Sequence, residues 1–326
     1  MALGKRNAIF VSIASFCDRN LLFTLESLFD TASGDLDINV GVFDQSFESI
    51  NGSIERFQWG DRVRYLHIHP MHSKGVCWAR SVIGSLFDGE DFYFQIDSHT
   101  MFKKDWDKFL VEQMEKLGKL SCKPIITTYP PPFEFDEEGN PFEKLAPSSY
   151  LYALRPKEEG FSSSDSYELK FKVFHEKGGD YITGFHLAGG FIFTLGSFVD
   201  EVPYDPWFYF HGEEQGLALR AYTKGWDIFH PRHDHIPLLH LYKQSGVKHD
   251  AHHWRSDLEQ VRRVKWVERK KVSEERLTDL IEREGVNGRL GLGTERSLDQ
   301  FIDFSGIDYR VKKINDPETR LVSGPA

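Results

Sequence analysis

Asp97 and His99 are the residues of this chain whose types and spacing point most directly to chemistry. They belong to Gln95-Ile96-Asp97-Ser98-His99, which closes the apolar run FYFQI. Residues two apart on an extended strand face the same side. A carboxylate and an imidazole placed that way can reach one cation together. Such an oxygen and nitrogen pair suits Mn2+ (or Mg2+), and a divalent cation held there can bridge two phosphate oxygens. The plainer reading is a strand-end turn, where Asp and Ser are common.

A second cluster, FHPRHDHIPLLHLYKQSGVKHDAHHW, carries His230, His233, His235, His240, His249, His252 and His253, half of the chain's 14 histidines. Most are expected to be structural or surface groups. His240 differs because it lies in the apolar run Ile236 to Tyr242 and can project from an ordered element. It is the candidate third ligand for the Asp97/His99 cation, and Lys243 supplies a positive charge three residues on. Glu213 and Glu214 open a helix, where acids favour the positive end of the dipole. A pair of acids there could equally hold substrate hydroxyls or act as a base. Arg80 falls in the first turns of a helix beginning near Gly75, either as a ligand contact or as an exposed helical arginine. Gly189 and Gly190, in Ala188-Gly189-Gly190, would let a ligand approach the backbone.

The elements that must position these residues follow from hydrophobic spacing. Apolar runs at 8–13, 38–43, 63–68, 92–96 and 124–128 have strand length, and helical spacing covers 20–29, 75–87 and 104–117. The alternation predicts an α/β fold with a mainly parallel sheet and flanking helices. Sheets of that kind bind ligands beyond the carboxyl ends of their strands, where Ser15, Asp44 and Asp97 stand. Residues 129–180, rich in Pro and acids, read as an insertion that either covers the site or is merely solvated. Regular structure resumes over 181–194, a helix covers 212–224, and 255–284 read as one or two surface helices. Residues 1–254 are thus expected to form the main domain and 255–326 a helical extension packed on it. The glycine-rich tail GRLGLG lacks the preceding strand that a phosphate-binding loop requires.

Composition bounds the function. The 326 residues are 40% hydrophobic, enough to bury a sizeable core. The net charge of −10 argues against a general nucleic-acid binder, whose affinity needs basic surface. Three cysteines, without a Cys-x-x-Cys pair, offer no disulfide framework and fit a reducing compartment. The start, MALGKRNAIFVSIASF, reads as a buried first strand rather than a signal peptide, and no apolar stretch has membrane-spanning length.

In order along the chain, IFVSIASFCD, QIDSHTMF, TTYPPP, AGGFIF, GEEQGLALRAYTKGWDIFHP, LLHLYK and GLGTERSLDQF resemble the cytoplasmic hydroxyproline-linked N-acetylglucosaminyltransferase family and its bacterial relatives. More distantly, the Asp-Ser-His triplet, the Ala-Gly-Gly segment, the Gly-Glu helix start and a late histidine are similar to the mucin-type polypeptide N-acetylgalactosaminyltransferases. The resemblance implies a GT-A fold and a metal-dependent glycosyltransferase in the cytoplasm. It implies UDP-GlcNAc as donor, retention of anomeric configuration, and a protein or glycan hydroxyl as acceptor. Asp97, His99 and His240 become the metal ligands. Lys243 falls where the distant relatives carry a phosphate-contacting arginine, though lysine is a point charge without a bidentate fork. Glu213 and Glu214 fall beside the donor sugar, and Ser15, Asp44, Gln45 and Arg80 around the uridine. The distant group's C-terminal lectin domain is absent from this sequence. Two other readings stay open: a zinc-dependent hydrolase built on the His230–His253 cluster, and a non-catalytic sugar-nucleotide-binding module.

Overall fold

The computed structural model describes residues 8–163, 166–242, 252–282 and 286–323. From the N-terminus the chain alternates strand and helix as its spacing predicts. The first elements are β1 (Ala8–Phe16), α1 (Leu21–Asp30), β2 (Asp37–Gln45), β3 (Val63–His67), α2 (Val76–Gly84) and β4 (Phe92–Asp97). A short β5 (Thr100–Phe102), α3 (Trp106–Leu117) and β6 (Pro124–Thr127) follow. The segment after residue 129 is ordered, with a small hairpin (Phe133–Phe135 with Pro141–Glu143) and a long antiparallel ribbon, β7 (Tyr150–Phe161) and β8 (Leu169–Lys177). Next come β9 (Tyr181–Gly184), β10 (Phe191–Leu195), α4 (Glu213–Thr223), β11 (Asp227–Pro231), β12 (Leu238–His240), α5 (Trp266–Glu282), α6 (Leu298–Ser305) and β13 (Leu321–Val322).

Nine of these strands form one sheet in the order β13-β9-β11-β6-β10-β4-β1-β2-β3. Strands β3, β2, β1 and β4 are mutually parallel, as are β6 and β11. Only β9 and β10 run against the rest. The continuous run 181–194 is therefore two strands of different address, parted by the turn that holds Gly189 and Gly190. Residues beyond 255 are mainly helical, yet β13 returns to pair with β9 at the sheet edge.

Both sheet faces are covered, which is why the strands read as unbroken apolar runs. In β1, Ile9, Val11 and Ile13 pack with Leu21, Leu25 and Leu28 of α1 and with Trp106 and Leu110 of α3. Phe10 points to the other face, against Ala79 and Ile83 of α2 and Leu217 and Ala218 of α4. The far side of α4 buries Leu219 with Leu277 and Leu280 of α5 and Phe301 of α6. Among the described residues no helix is long and apolar enough to cross a membrane.

Candidate functional site

The strand ends form a row. Parallel pairing sets Ala14 beside Asp97 and Ser15 beside Asp44, so the carboxyl ends of β2, β1 and β4 present their residues side by side. His240 ends β12, which pairs with β5 and lies opposite Thr100, one residue past His99. The small β5–β12 sheet is what carries His240 across 143 positions to Asp97. Its Nε2 lies 3.1 Å from Asp97 Oδ2, and the His99 and His240 rings are 4.6 Å apart. One ligand atom each from Asp97, His99 and His240 all lie within 4.8 Å of one another, the one such group among the described residues.

The backbone around this trio is pinned. Thr24 of α1 is fully buried; its Oγ1 donates to the Ser98 carbonyl and accepts from Thr100 N–H. Gly190 carries no Cβ, and one built there would stand 2.6 Å from Asp97 Oδ2. Burial raises the Asp97 carboxyl, but the hydrogen bond from His240 and the charge of Arg80 outweigh it and hold the group below the ordinary carboxylate range. His240 titrates lower than usual because burial disfavours its charged form, against the opposite pull of Asp97.

Arg80 is neither an exposed helical arginine nor an open arm. It is 3% exposed, its guanidinium set against Asp97. Nη2 donates to Asp97 Oδ1 (3.1 Å) and the Gly189 carbonyl (2.9 Å); Nη1 donates to Glu213 Oε1 (2.9 Å) and the Tyr204 hydroxyl (3.1 Å). Gln95 donates to the same Gly189 carbonyl and the same Tyr204 hydroxyl. The arginine thus sits between carboxylates that follow it by 17 and 133 positions. It is enclosed by protein.

Glu213 and Glu214 turn to different partners. Glu213 is buried; Oε1 takes Arg80, and Oε2 accepts from the Cys77 thiol. Burial pushes its carboxyl up to about 7 even against Arg80. Glu214 accepts from Gly189 N–H (2.6 Å) and the Tyr129 hydroxyl (2.8 Å), and His186 Nε2 stands 3.4 Å away. Those partners hold its carboxyl below the ordinary value despite burial. Glu213 therefore fastens α4 to α2, and Glu214 fastens it to the Gly189–Gly190 turn.

At the β1 and β2 ends the donors are uncharged. Asp44 accepts from Ser46 (2.5 Å) and Tyr65 (2.6 Å), and burial raises its carboxyl in spite of both. Gln45 donates to the Ser15 carbonyl and accepts from Ser73. The Ser15 hydroxyl is fully buried with no partner.

The structure disperses the other histidines. His230 is buried against Gly184 and accepts from Leu154 N–H. His233 accepts from Ser148 N–H and stacks on Tyr152, and His235 packs on Tyr181. His253 meets the Tyr209 hydroxyl and the Phe16 ring. Burial depresses the protonation of all four. Among the described residues these four do not converge on one another. Lys243 and His249 lie outside the described residues.

Asp18 was not singled out by spacing. Its Oδ2 lies 2.6 Å from His99 Nδ1 and accepts from Ser98 Oγ at 2.7 Å. The signal available was its place just past the end of β1, the same kind of position Asp97 has on β4.

The family described as Glycosyltransferase (GlcNAc) matches residues 8–56 and 51–311. No curated protein matches the chain. Among solved structures, GalNAc-T7 with UDP, GalNAc and Mn2+ superposes with a TM-score of 0.57 at 13% identity, over 86% of this chain and 49% of that one. The chain thus spans about half the length of GalNAc-T7. TarS 1–349 of S. aureus gives 0.41 at 12% identity, over 68% and 57% of the two chains. Its complex with UDP-GlcNAc gives 0.44 at 11%, over 83% and 72%. The GalNAc-T7 likeness shows the fold expected from the sequence, an α/β sheet of the GT-A type.

Proposed function

The chain belongs to the Glycosyltransferase (GlcNAc) family, and on that premise we propose that it moves GlcNAc from UDP-GlcNAc to an acceptor hydroxyl with retention. The observation that carries the reading is the convergence of Asp97, His99 and His240 at the carboxyl ends of the sheet. One carboxylate and two imidazoles fit Mn2+ (or Mg2+), and Gly190 leaves their mouth free of a side chain. Bound there, the cation would neutralise the donor's diphosphate, where negative charge develops as the sugar departs. Mn2+ is the ion present in the GalNAc-T7 structure.

The chain's own residues take separate tasks in this proposal. Ser15, Asp44 and Gln45 form the shelf for the uridine, and Ser15 brings a hydroxyl with no protein partner. Lys243, next in sequence after the β12 strand and Leu241–Tyr242, supplies the cation beside the diphosphate. Arg80 acts as a positioning residue, holding Asp97 by one nitrogen and Glu213 by the other. Glu213, Glu214 and the Gly189–Gly190 turn shape the sugar pocket. The oxygens of both acids already accept bonds from protein groups. That supports a mechanism in which the leaving diphosphate, rather than a glutamate, takes the acceptor's proton. The acceptor we assign by resemblance is a protein hydroxyl such as hydroxyproline. The three cysteines are free thiols, which suits the reducing cytoplasm. Residues 1–254 are the catalytic domain in this reading, with 255–326 as its extension.

The test is a panel of UDP-sugars incubated with Mn2+ and no acceptor. Slow hydrolysis fastest for UDP-GlcNAc is expected, and it should stop with chelator. In a folded Asp97→Ala variant, Mn2+-dependent UDP binding should vanish; unchanged UDP affinity would sink the assignment. Binding of every UDP-sugar without turnover, acceptors included, would point to a binding module. NMR of the newly formed linkage decides stereochemistry, and a β linkage would overturn retention.

A further inference from the structure

We propose that Asp18 is a positioning residue that fixes His99 as a metal ligand, holding its Nδ1–H so that Nε2 is presented to the cation. The inference rests on the metal reading of Asp97, His99 and His240.

An ionised carboxylate only accepts hydrogen bonds. At 2.6 Å from Asp18 Oδ2, His99 Nδ1 must carry the proton. The lone pair then sits on Nε2. A carboxylate behind a ligating histidine orients the ring and raises its basicity, and losing such a partner weakens metal binding about 10- to 100-fold.

Asp18 is itself held on several sides. Its Oδ1 accepts from Asn20 N–H (2.9 Å) and Asn20 Nδ2 (3.2 Å), while Oδ2 also accepts from Ser98 Oγ. Its side chain is only 6% exposed. The turn that delivers it passes through Cys17, a non-glycine residue at φ 47. That region is uncommon for residues with a Cβ, and Cys17 N–H is tied there to the Gln45 carbonyl. The end of β1 thus turns sharply to bring a buried carboxylate under the His99 ring. His240 has no equivalent, since its Nδ1 is buried without a partner. The two imidazoles are supported unequally, and the Asp18 effect should run through His99 alone.

The experiment measures Mn2+ affinity directly, by calorimetry or by the EPR signal of free Mn2+, on the full chain without donor. Asp18→Ala should bind Mn2+ about 10- to 100-fold more weakly than wild type while melting as a folded protein. Asp18→Asn, which keeps an acceptor but loses the charge, should fall between the two. It also serves if Asp18→Ala does not fold. Nitrogen-15 NMR of the metal-free wild type should show His99 as the Nδ1–H tautomer with a strongly downfield ring proton. That proton should be missing in Asp18→Ala, a change that simple loss of packing would not produce. Equal Mn2+ affinity in wild type and a folded variant overturns the role of Asp18 and leaves the metal reading standing. A wild type with no Mn2+ affinity refutes the metal reading itself.

Discussion

Two neighbouring parts of one strand-end row are built by different physics. On the Asp97 side, Arg80 is buried between Asp97 and Glu213, and charge answers charge. On the Ser15, Asp44 and Gln45 side the contacts are hydroxyls, an amide and a phenol around a single carboxylate. Buried ion pairs are unforgiving when one partner is lost, because the other charge is left uncompensated. A hydrogen bond from an uncharged donor contributes only about 1 kcal/mol net. The metal-side half should therefore be brittle and the nucleotide-side half tolerant.

The largest effect is expected from Arg80→Met. It leaves Asp97 and Glu213 without their shared cation and should destabilise the fold by about 3–5 kcal/mol, read from the urea midpoint. A loss under about 1 kcal/mol would mean that Arg80 is not the keystone its contacts describe. Glu213 probes the same cluster by pH. Its carboxyl is raised from the ordinary 4.5 to about 7, so the folded state holds that proton more tightly than the unfolded. Unfolding free energy should accordingly be greatest below the lower value and fall as pH rises towards the upper one, by up to about 3 kcal/mol. In Glu213→Gln that slope should disappear, and an unchanged pH profile would contradict the assignment.

Gly190→Ala separates stability from ligand binding. The new methyl would meet Asp97 Oδ2 at 2.6 Å, the end of a side chain that can rotate away from His240. Stability should change little. Mn2+-dependent UDP affinity should drop about tenfold, or ~1.4 kcal/mol. Unchanged affinity with an unchanged melting point would show that the turn does not crowd the metal ligands.

The same contrast explains what the sequence made legible. The strand runs at 8–13 and 92–96 were readable because both faces of a covered sheet are apolar, and the residues closing them announced themselves by breaking that pattern. Tertiary pairing was not readable in this way. Arg80 looks like any helical arginine until Glu213, 133 positions on, is folded against it. The run 181–194 looked continuous, since the turn at Ala188–Gly190 is as apolar as the strands it parts. His240 was separable from its neighbours by its apolar setting, whereas His230, buried against Gly184, carried no mark distinguishing a structural histidine from a ligand. Asp18 escaped because its importance comes from touching His99, 81 positions away, and no local spacing encodes that contact.

The smallest effect is expected on the tolerant half, from Tyr65→Phe. The Tyr65 hydroxyl donates to Asp44 Oδ2 and accepts from Ile50 N–H. Burial and the Asp44 carboxylate push the phenol up to about 12, so it keeps its proton at neutral pH. Removing the oxygen strips one of two side-chain donors from Asp44 and leaves Ser46. Tyr65 is only half-buried and stands on β3, the edge strand of the sheet, so water can reach the place its hydroxyl leaves. The stability loss should stay near 1 kcal/mol, measured by urea denaturation beside Arg80→Met. UDP affinity should weaken by less than about tenfold, because Asp44 keeps its place on β2 and loses only one restraint. A loss as large as that of Arg80→Met would erase the distinction, making the uridine shelf as tightly coupled as the ion cluster beside it.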